Sequence, residues 1–201
     1  MVVSGDMESS QAVSPILHPH SRSLFRLWEA MRGEASAPRK DELDLKQIGA
    51  LVPDLFILER AQEFYRWRLA GTRVCELFRR DPVGEQIFGS WVGFERETVC
   101  RLLDGVTEAL QPAIMRIRLH TSQGQAIGAE IIALPLLPAT GCIQVLGGLF
   151  PFCDVHSCRY DAITGEELAS ARVIWTQPIP GDNLAPNFGY RPFQLIAGGL
   201  S

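Results

Sequence analysis

The sequence lacks any run of eighteen apolar residues, and it lacks blocks of like charge. A membrane-spanning helix needs about 20 consecutive, predominantly apolar residues, so none is predicted. The formal net charge is only -4 over 201 residues, whereas binding to nucleic acid or to a membrane surface usually requires concentrated positive charge. We therefore expect neither nucleic acid nor a membrane as a partner.

Paired cysteines and a secretion signal are also missing. The five cysteines are odd in number and widely spaced, at Cys75, Cys100, Cys142, Cys153 and Cys158. This pattern favours reduced thiols over a disulfide framework. Residues 1–20 have neither the basic start nor the apolar centre of a signal peptide. We therefore expect a cytoplasmic protein.

Convincing zinc spacing is absent as well. Cys153, His156 and Cys158 are of the right chemical types, and Cys142 is a conceivable fourth ligand. A C-x-x-H-x-C run, however, lacks the two short cysteine pairs that are typical of structural zinc sites. The sequence predicts no metal site and identifies no cofactor.

The usual enzyme motifs do not occur, among them G-x-S-x-G, G-x-x-x-x-G-K, G-x-G-x-x-G and H-E-x-x-H. Glu130, within the apolar stretch GAEIIAL, is a candidate acid or base, because it is a carboxylate in apolar surroundings. A turn at Gln123 and Gly124 would place it beside Arg116 or Arg118, so we expect a cross-strand ion pair. The alternative is a small α+β enzyme with an enclosed pocket, isomerase-like, in which Glu130 is the base.

Hydrophobic residues make up 46% of the chain, enough for one globular domain. Residues 1–20 are polar and aperiodic, and they predict a disordered tail. Residues 21–152 carry regular patterns and form the predicted domain. Residues 153–201 are rich in proline and predict an extension, in which only Leu168 to Trp175 has enough apolar content for an element.

The first periodic stretch, Ser21 to Arg32, predicts an amphipathic helix that Gly33 ends. Its apolar stripe consists of Leu24, Leu27, Trp28 and Met31. Either the sheet of the same chain covers this stripe or a second copy does, because periodicity does not separate the two. We predict the stripe as the surface for self-association or for a protein partner.

A hairpin that runs into a helix is predicted at the centre of the chain. Leu55 to Arg60 is an apolar run, and Phe64 to Ala70 alternates apolar residues with arginines, as a half-buried strand does. Thr72 is placed to cap a helix from Arg73 to Phe78.

Further elements follow on both sides of the hairpin. A helix after Asp41 and a long helix from Phe94 to Leu110 are predicted from apolar residues at spacings of three and four. Three more strands are predicted at Ala113 to Thr121, Gln125 to Leu136 and Ile143 to Phe150. In the last of these, Gly147 and Gly148 suggest a bulge or a close approach of backbone or ligand.

The segments FILE, YRWRLAGTRVCELF and PVG, in this order, resemble the bacterial PAS-domain family whose members carry an F-R-L-A-G-T-R core. One departure is Arg79, where a small residue is expected. The resemblance implies an α+β fold: a PAS-like five-stranded antiparallel sheet with helices on one face, plus an N-terminal helix and a C-terminal extension.

The resemblance also implies a sensory or regulatory protein rather than an enzyme. Since the sequence carries no recognisable output module, we expect a stand-alone regulator that binds a small molecule or a protein partner and signals by protein contact. A concave sheet closed by helices encloses an apolar pocket. Tyr65, Trp67 and Leu69 alternate along one predicted strand, and Met115, Ile117 and Leu119 alternate along another. With both sets facing inward, these six residues and Phe78 form the predicted lining of the pocket.

Overall fold

The computed structural model describes residues 15–43, 45–138, 141–153 and 163–176. These residues contain four α-helices: α1 (Pro19–Arg32), α2 (Leu45–Ile48), α3 (Thr72–Phe78) and α4 (Gly93–Glu108). The same described residues contain six strands: β1 (Leu55–Ala61), β2 (Phe64–Ala70), β3 (Ala113–Thr121), β4 (Ala126–Leu136), β5 (Gln144–Pro151) and β6 (Ile163–Val173). Short 3₁₀ helices span Lys40–Glu42 and Gly49–Asp54.

The strands form one antiparallel sheet in the order β2-β1-β5-β4-β3-β6. This confirms the predicted α+β class and the five predicted strands. The sixth strand, β6, comes from the predicted C-terminal extension and pairs with β3 along nearly its whole length. The apolar pattern indicated only a possible element at Leu168 to Trp175, because only about half of the residues of β6 are apolar.

A bulge in β2 changes which face its last residues occupy. Ile57 pairs with Leu69, whereas Leu58 pairs with Trp67, so Arg68 has no opposite residue. An extra residue of this kind reverses the alternation of side chains beyond it. Leu69 is therefore 49% exposed, and its predicted place beside Trp67 in a pocket is wrong.

One face of the sheet, the α4 face, is covered by α4 and α3. Its core includes Phe56, Trp67, Met115 and Leu103, all buried. Phe56 lies across from Gly147, where an added Cβ would be 2.1 Å from the ring. The close approach predicted at this glycine is therefore made by an aromatic side chain of the core.

The opposite face, the α1 face, is covered by α1. Leu24 and Trp28 are fully buried against the sheet, and the Trp28 Nε1–H donates to the Pro135 carbonyl oxygen at 2.9 Å. Leu27 and Met31 pack partly against the same core. The sheet of the same chain thus covers the stripe, so Leu24 and Trp28 are not available as partner contacts, contrary to the prediction.

The A-G-T-R segment joins β2 to α3 and lies against the turn before β1. An added Cβ at Gly71 would be 2.3 Å from the Pro53 carbonyl oxygen, so only glycine fits. Gly71, not Thr72, is the N-cap of α3. Arg73 Nη1 lies 2.5 Å from the buried Asp54 carboxylate. Burial raises the pKa of Asp54, and Arg73 acts against that rise.

Candidate functional site

A groove of about 310 Å³, which we call the aromatic groove, opens at the edge of the α4 face. It lies between β2, the end of α3 and the loop 80–91, which we call the groove loop. Aromatic side chains and polar side chains share its lining: Trp67, Phe78, Arg80, Pro82, Glu85, Gln86, Phe88, Gly89, Ser90 and Glu166. The volume is at the lower end of the roughly 300–1,000 Å³ typical of small-molecule sites.

The groove loop is attached to β2 through its backbone. The Trp67 N–H donates to the Glu85 carbonyl at 3.0 Å, and the Gly84 N–H donates to the Trp67 carbonyl at 2.8 Å. The Ile87 N–H donates to the Tyr65 carbonyl at 2.9 Å. These bonds satisfy the outer edge of β2, which would otherwise offer open pairing positions to another chain.

The same loop is attached to β6, at the other edge of the sheet. The Ser90 hydroxyl lies 2.5 Å from the Glu166 carboxylate, and the Trp91 Nε1–H donates to the Glu166 carbonyl at 2.8 Å. The start of α4, which follows the loop, adds a third bond: the Leu168 N–H donates to the Glu95 carboxylate at 3.2 Å. Because β2 and β6 are the two edge strands, the groove loop bridges the edges of a strongly curled sheet.

Phe88 has an unusual backbone conformation. Its φ is 48°, in the left-handed region that bulky side chains rarely adopt. The side chain is buried and stacks on Trp91 with ring centroids 4.3 Å apart. Strain of this kind persists only when the surrounding packing holds it, and it concentrates at functional sites.

The predicted lining residues divide into three groups. Trp67 and Phe78 do line the groove. Four others are fully buried in the close-packed core and line neither of the two grooves described here: Tyr65, Met115, Ile117 and Leu119. Leu69 lies at the surface beyond the bulge.

Tyr65 ties the hairpin to α4 instead of facing a ligand. Its hydroxyl lies 2.8 Å from both the Asp104 carboxylate and the Thr107 hydroxyl. Arg60 reaches Asp104 at 3.1 Å and Glu108 at 2.6 Å. Burial raises the pKa of Tyr65, which keeps its phenol protonated as a donor.

Sequence reasoning missed the other eight groove residues: Arg80, Pro82, Glu85, Gln86, Phe88, Gly89, Ser90 and Glu166. The turn-rich composition between Pro82 and Gly89 marks a loop holding apolar anchors, and this was the only available signal for Phe88. Nothing in the local pattern links Ser90 to Glu166, which is 76 positions away.

A second groove, of about 620 Å³, lies on the α1 face at the end of α1. Met31, Arg32 and Leu137 are among its lining residues. Arg32 stacks over the Trp28 ring at 5.3 Å and donates to the Ala35 carbonyl at 3.0 Å. The groove has mixed polarity, and both of its arginines, Arg32 and Arg39, are held by contacts within the chain.

Glu130, the candidate base, is fully buried on the α1 face. Arg116 is its cross-strand partner at 3.2 Å, as predicted. The carboxylate also accepts from the Leu17 and His18 N–H groups at 3.0 and 2.8 Å. It lines neither groove, so a substrate in either one would not contact it.

These contacts also correct the predicted tail. Residues 1–14 lie outside the described part of the chain, but Pro15 to His20 pack on the sheet. Ile16 is buried, and Arg116 Nη2 donates to the Pro15 carbonyl at 2.5 Å. The amides that bind Glu130 lie directly before α1, so the carboxylate anchors the start of that helix.

Within the described ranges, no group of three or more His, Cys, Asp or Glu residues is arranged to hold a metal ion. No disulfide bond joins any of the cysteines in the described ranges, Cys75, Cys100, Cys142 and Cys153. His156 and Cys158, from the zinc pattern considered above, lie outside those ranges. None of the helices described is both long and apolar enough to cross a membrane.

No curated protein matches the chain. A sequence model of a family described as PAS domain matches residues 16–150, which is more than half of the 201 residues. The matched region begins with the segment anchored by Glu130 and ends within β5. By this match, the chain belongs to the PAS domain family.

Proposed function

We propose that this protein is a sensory PAS domain that binds a small molecule in the aromatic groove and passes the bound state to a protein partner. Family membership supports a sensory or regulatory role in general. The observation that carries the proposal is the strained, buried Phe88 in the wall of the groove. A ligand that contacts Phe88 acts on a residue whose conformation depends on its neighbours.

The groove loop supplies a route for the signal. Its backbone bonds hold β2, and its Ser90 and Trp91 side chains hold β6. A shift of Phe88 on binding would therefore alter the contacts of both edge strands. Val92 and Phe94 follow the loop directly and are 76% and 81% exposed. Exposed apolar side chains beside a moving loop suit a protein contact.

The hydrogen bonds and the burial of Glu130 support a regulatory rather than a catalytic role. A general base needs a free oxygen within reach of the substrate proton. Glu130 accepts three hydrogen bonds and is fully buried away from the groove. These contacts favour a structural carboxylate over the isomerase-like alternative.

We also place the chain in the bacterial PAS group with the F-R-L-A-G-T-R core, in a cytoplasmic setting. Gly71 packs closely against the Pro53 backbone, and Arg73 forms an ion pair with Asp54, so two residues of this motif have specific structural roles. The cytoplasmic setting is supported by the odd number and wide spacing of the cysteines, a pattern that favours reduced thiols. The predicted domain, residues 21–152, is proposed as the sensory domain, together with residues 15–20 before it and with β6 of the extension, which completes its sheet.

Native mass spectrometry of protein purified from its own host tests the proposal. We expect an additional small-molecule mass on each chain and, if the protein self-associates, a dimer peak. Gly89→Leu should remove the bound mass, because the new side chain fills the groove and its Cβ makes only ordinary contacts, at 3.7 Å or more.

Gly165→Leu is the matched control, since a Cβ there meets nothing within 4 Å and this residue does not line the groove. It should retain the ligand. A ligand mass that persists in Gly89→Leu, or a wild-type protein that carries none, would contradict binding in the groove. The subunit count tests self-association independently of the ligand.

A further inference from the structure

The side chains that line the aromatic groove carry more negative charge than positive charge. Arg80 forms an ion pair with Glu85, so these two neutralise each other. Glu166 accepts from the Ser90 hydroxyl at 2.5 Å. Within the described ranges, no lysine, arginine or histidine makes an ion pair with Glu166. Among the described residues, the groove therefore has one carboxylate, that of Glu166, for which no cationic partner is present.

The apolar part of the lining is aromatic. Trp67, Phe78 and Phe88 all contribute to it, and Trp67 and Phe78 lie 6.0 Å apart in an edge-to-face arrangement. Aromatic faces carry negative electrostatic potential and attract cations that lie within about 6 Å. A single uncompensated carboxylate has the same preference for positive charge. Both kinds of wall thus disfavour an anion.

The register of β6 places Glu166 on the groove side. Glu166 pairs with Leu119, whose side chain belongs to the core of the α4 face. The next residue, Glu167, pairs with Arg118 and points away from that core. Its carboxylate is bound by Arg118 at 2.7 Å and by His120 at 3.3 Å. Two adjacent glutamates therefore differ in whether their charge is compensated.

We propose that the aromatic groove selects a small organic cation: an ammonium group with apolar substituents, lying against the aromatic side chains with Glu166 as its counter-charge. This inference rests on the proposed function only for the location of the ligand. It adds the chemical class, which neither the family nor the fold specifies. The groove volume of about 310 Å³ limits the ligand to a small molecule.

Choline and 3,3-dimethylbutan-1-ol are suitable probes, because they have nearly the same shape and differ in charge. Both are titrated into the full chain to millimolar concentration while the tryptophan indole N–H signals are followed by NMR. We expect choline to shift the signals of Trp67 and Trp91, but not that of the remote Trp28. The neutral alcohol should bind about tenfold more weakly, in line with the usual strength of cation–aromatic contacts.

Two variants assign the selectivity to residues. Glu166→Gln should reduce the preference for choline about tenfold or abolish it, and Phe88→Leu should weaken choline binding while leaving the alcohol little affected. Glu167→Gln makes the same change of charge one residue away, where the carboxylate is already paired, and it should behave as the wild type. The folded state of each variant is checked by its dispersed NMR spectrum.

The outcomes separate this inference from the proposed function. Equal affinity for the two probes would overturn the cation preference and leave a groove that binds apolar molecules. Absence of any shift with choline would also overturn it, while a ligand retained from the host and lost in Gly89→Leu would still uphold the groove as a binding site. An equal loss of selectivity in Glu167→Gln would mean that net charge, not Glu166, is responsible.

Discussion

Glu130 and Glu166 are carboxylates on opposite faces of one sheet, and their surroundings differ. Glu130 is fully buried and accepts from two backbone amides and an arginine. Glu166 is half-buried, and its carboxylate has a serine hydroxyl as partner, with no cation paired to it in the described ranges. A buried charge must be compensated fully, whereas one beside an open groove is left available to a ligand.

The same contrast extends to the two faces around these residues. On the α1 face the helix is anchored at its start by Glu130 and along its length by Trp28. The α4 face ends in a groove whose wall holds a strained aromatic residue. We infer that the α1 face serves stability and that the rim of the α4 face serves binding. The predictions below test this division.

Trp67→Ala should cause the largest loss of stability, about 3 to 5 kcal/mol, because it empties a large site in the core of the α4 face. Leu69→Ala, two residues along the same strand, should cost less than about 1 kcal/mol because Leu69 is exposed. Denaturant unfolding of both variants measures the difference. Similar losses would mean that the bulge does not place Leu69 at the surface.

Glu130→Ala should cost about 3 to 5 kcal/mol, since it leaves Arg116 and two amides without their shared acceptor. Glu166→Gln should change the free energy of unfolding by less than about 1 kcal/mol, because its surroundings are half open. Denaturant melts at neutral pH compare the two. If Glu166→Gln lowers the free energy of unfolding more than Glu130→Ala does, the assignment of stability to the α1 face and of binding to the rim of the α4 face is wrong.

Gly71→Ala should destabilise by roughly 1 to 3 kcal/mol, because the new methyl group collides with the backbone at Pro53. Gly105→Ala, within α4, is the control: a Cβ there meets nothing within 4 Å, and alanine favours a helix by about 0.5 to 1 kcal/mol. Thermal unfolding should therefore shift in opposite directions. If Gly71→Ala leaves the thermal unfolding unchanged, the close approach to the Pro53 backbone does not explain the glycine of the A-G-T-R segment.

A smaller effect is expected from pH at the start of α1. His18 Nδ1 accepts from the His20 N–H at 3.1 Å, and the ring stacks on Phe150. Burial, followed by the nearby His20 charge, lowers the pKa of His18 below 6.5, although Glu130 acts in the opposite direction. The folded state then binds a proton less readily than the unfolded chain.

This His18 contribution is therefore present above pH 6.5 and is lost as the pH falls through the lowered pKa. His18→Asn keeps an acceptor that suits an N-cap and does not titrate. Between pH 7.5 and 5, the wild type should lose more stability than His18→Asn, as measured by denaturant unfolding at each pH. Parallel profiles for the two proteins would rule out this role.

Sequence alone determined most of the elements, β6 being the exception among the strands, and some of their contacts. Apolar spacing of three and four predicted α1 and α4, and alternation predicted β2 and β3, because these periods reflect one buried face of each element. The turn at Gln123 and Gly124 predicted Arg116 or Arg118 as the partner of Glu130, and the structure pairs it with Arg116. Such inferences succeed because they depend on neighbours in the chain.

Tertiary structure decided the candidate site. The bulge at Arg68 depends on how β1 and β2 pair, and it moved Leu69 out of the predicted lining. Glu166 reaches Ser90 only because the sheet curls until its two edge strands share one loop. The left-handed conformation of Phe88 is held by packing on Trp91. These features arise from contacts between distant segments, which local periodicity does not encode.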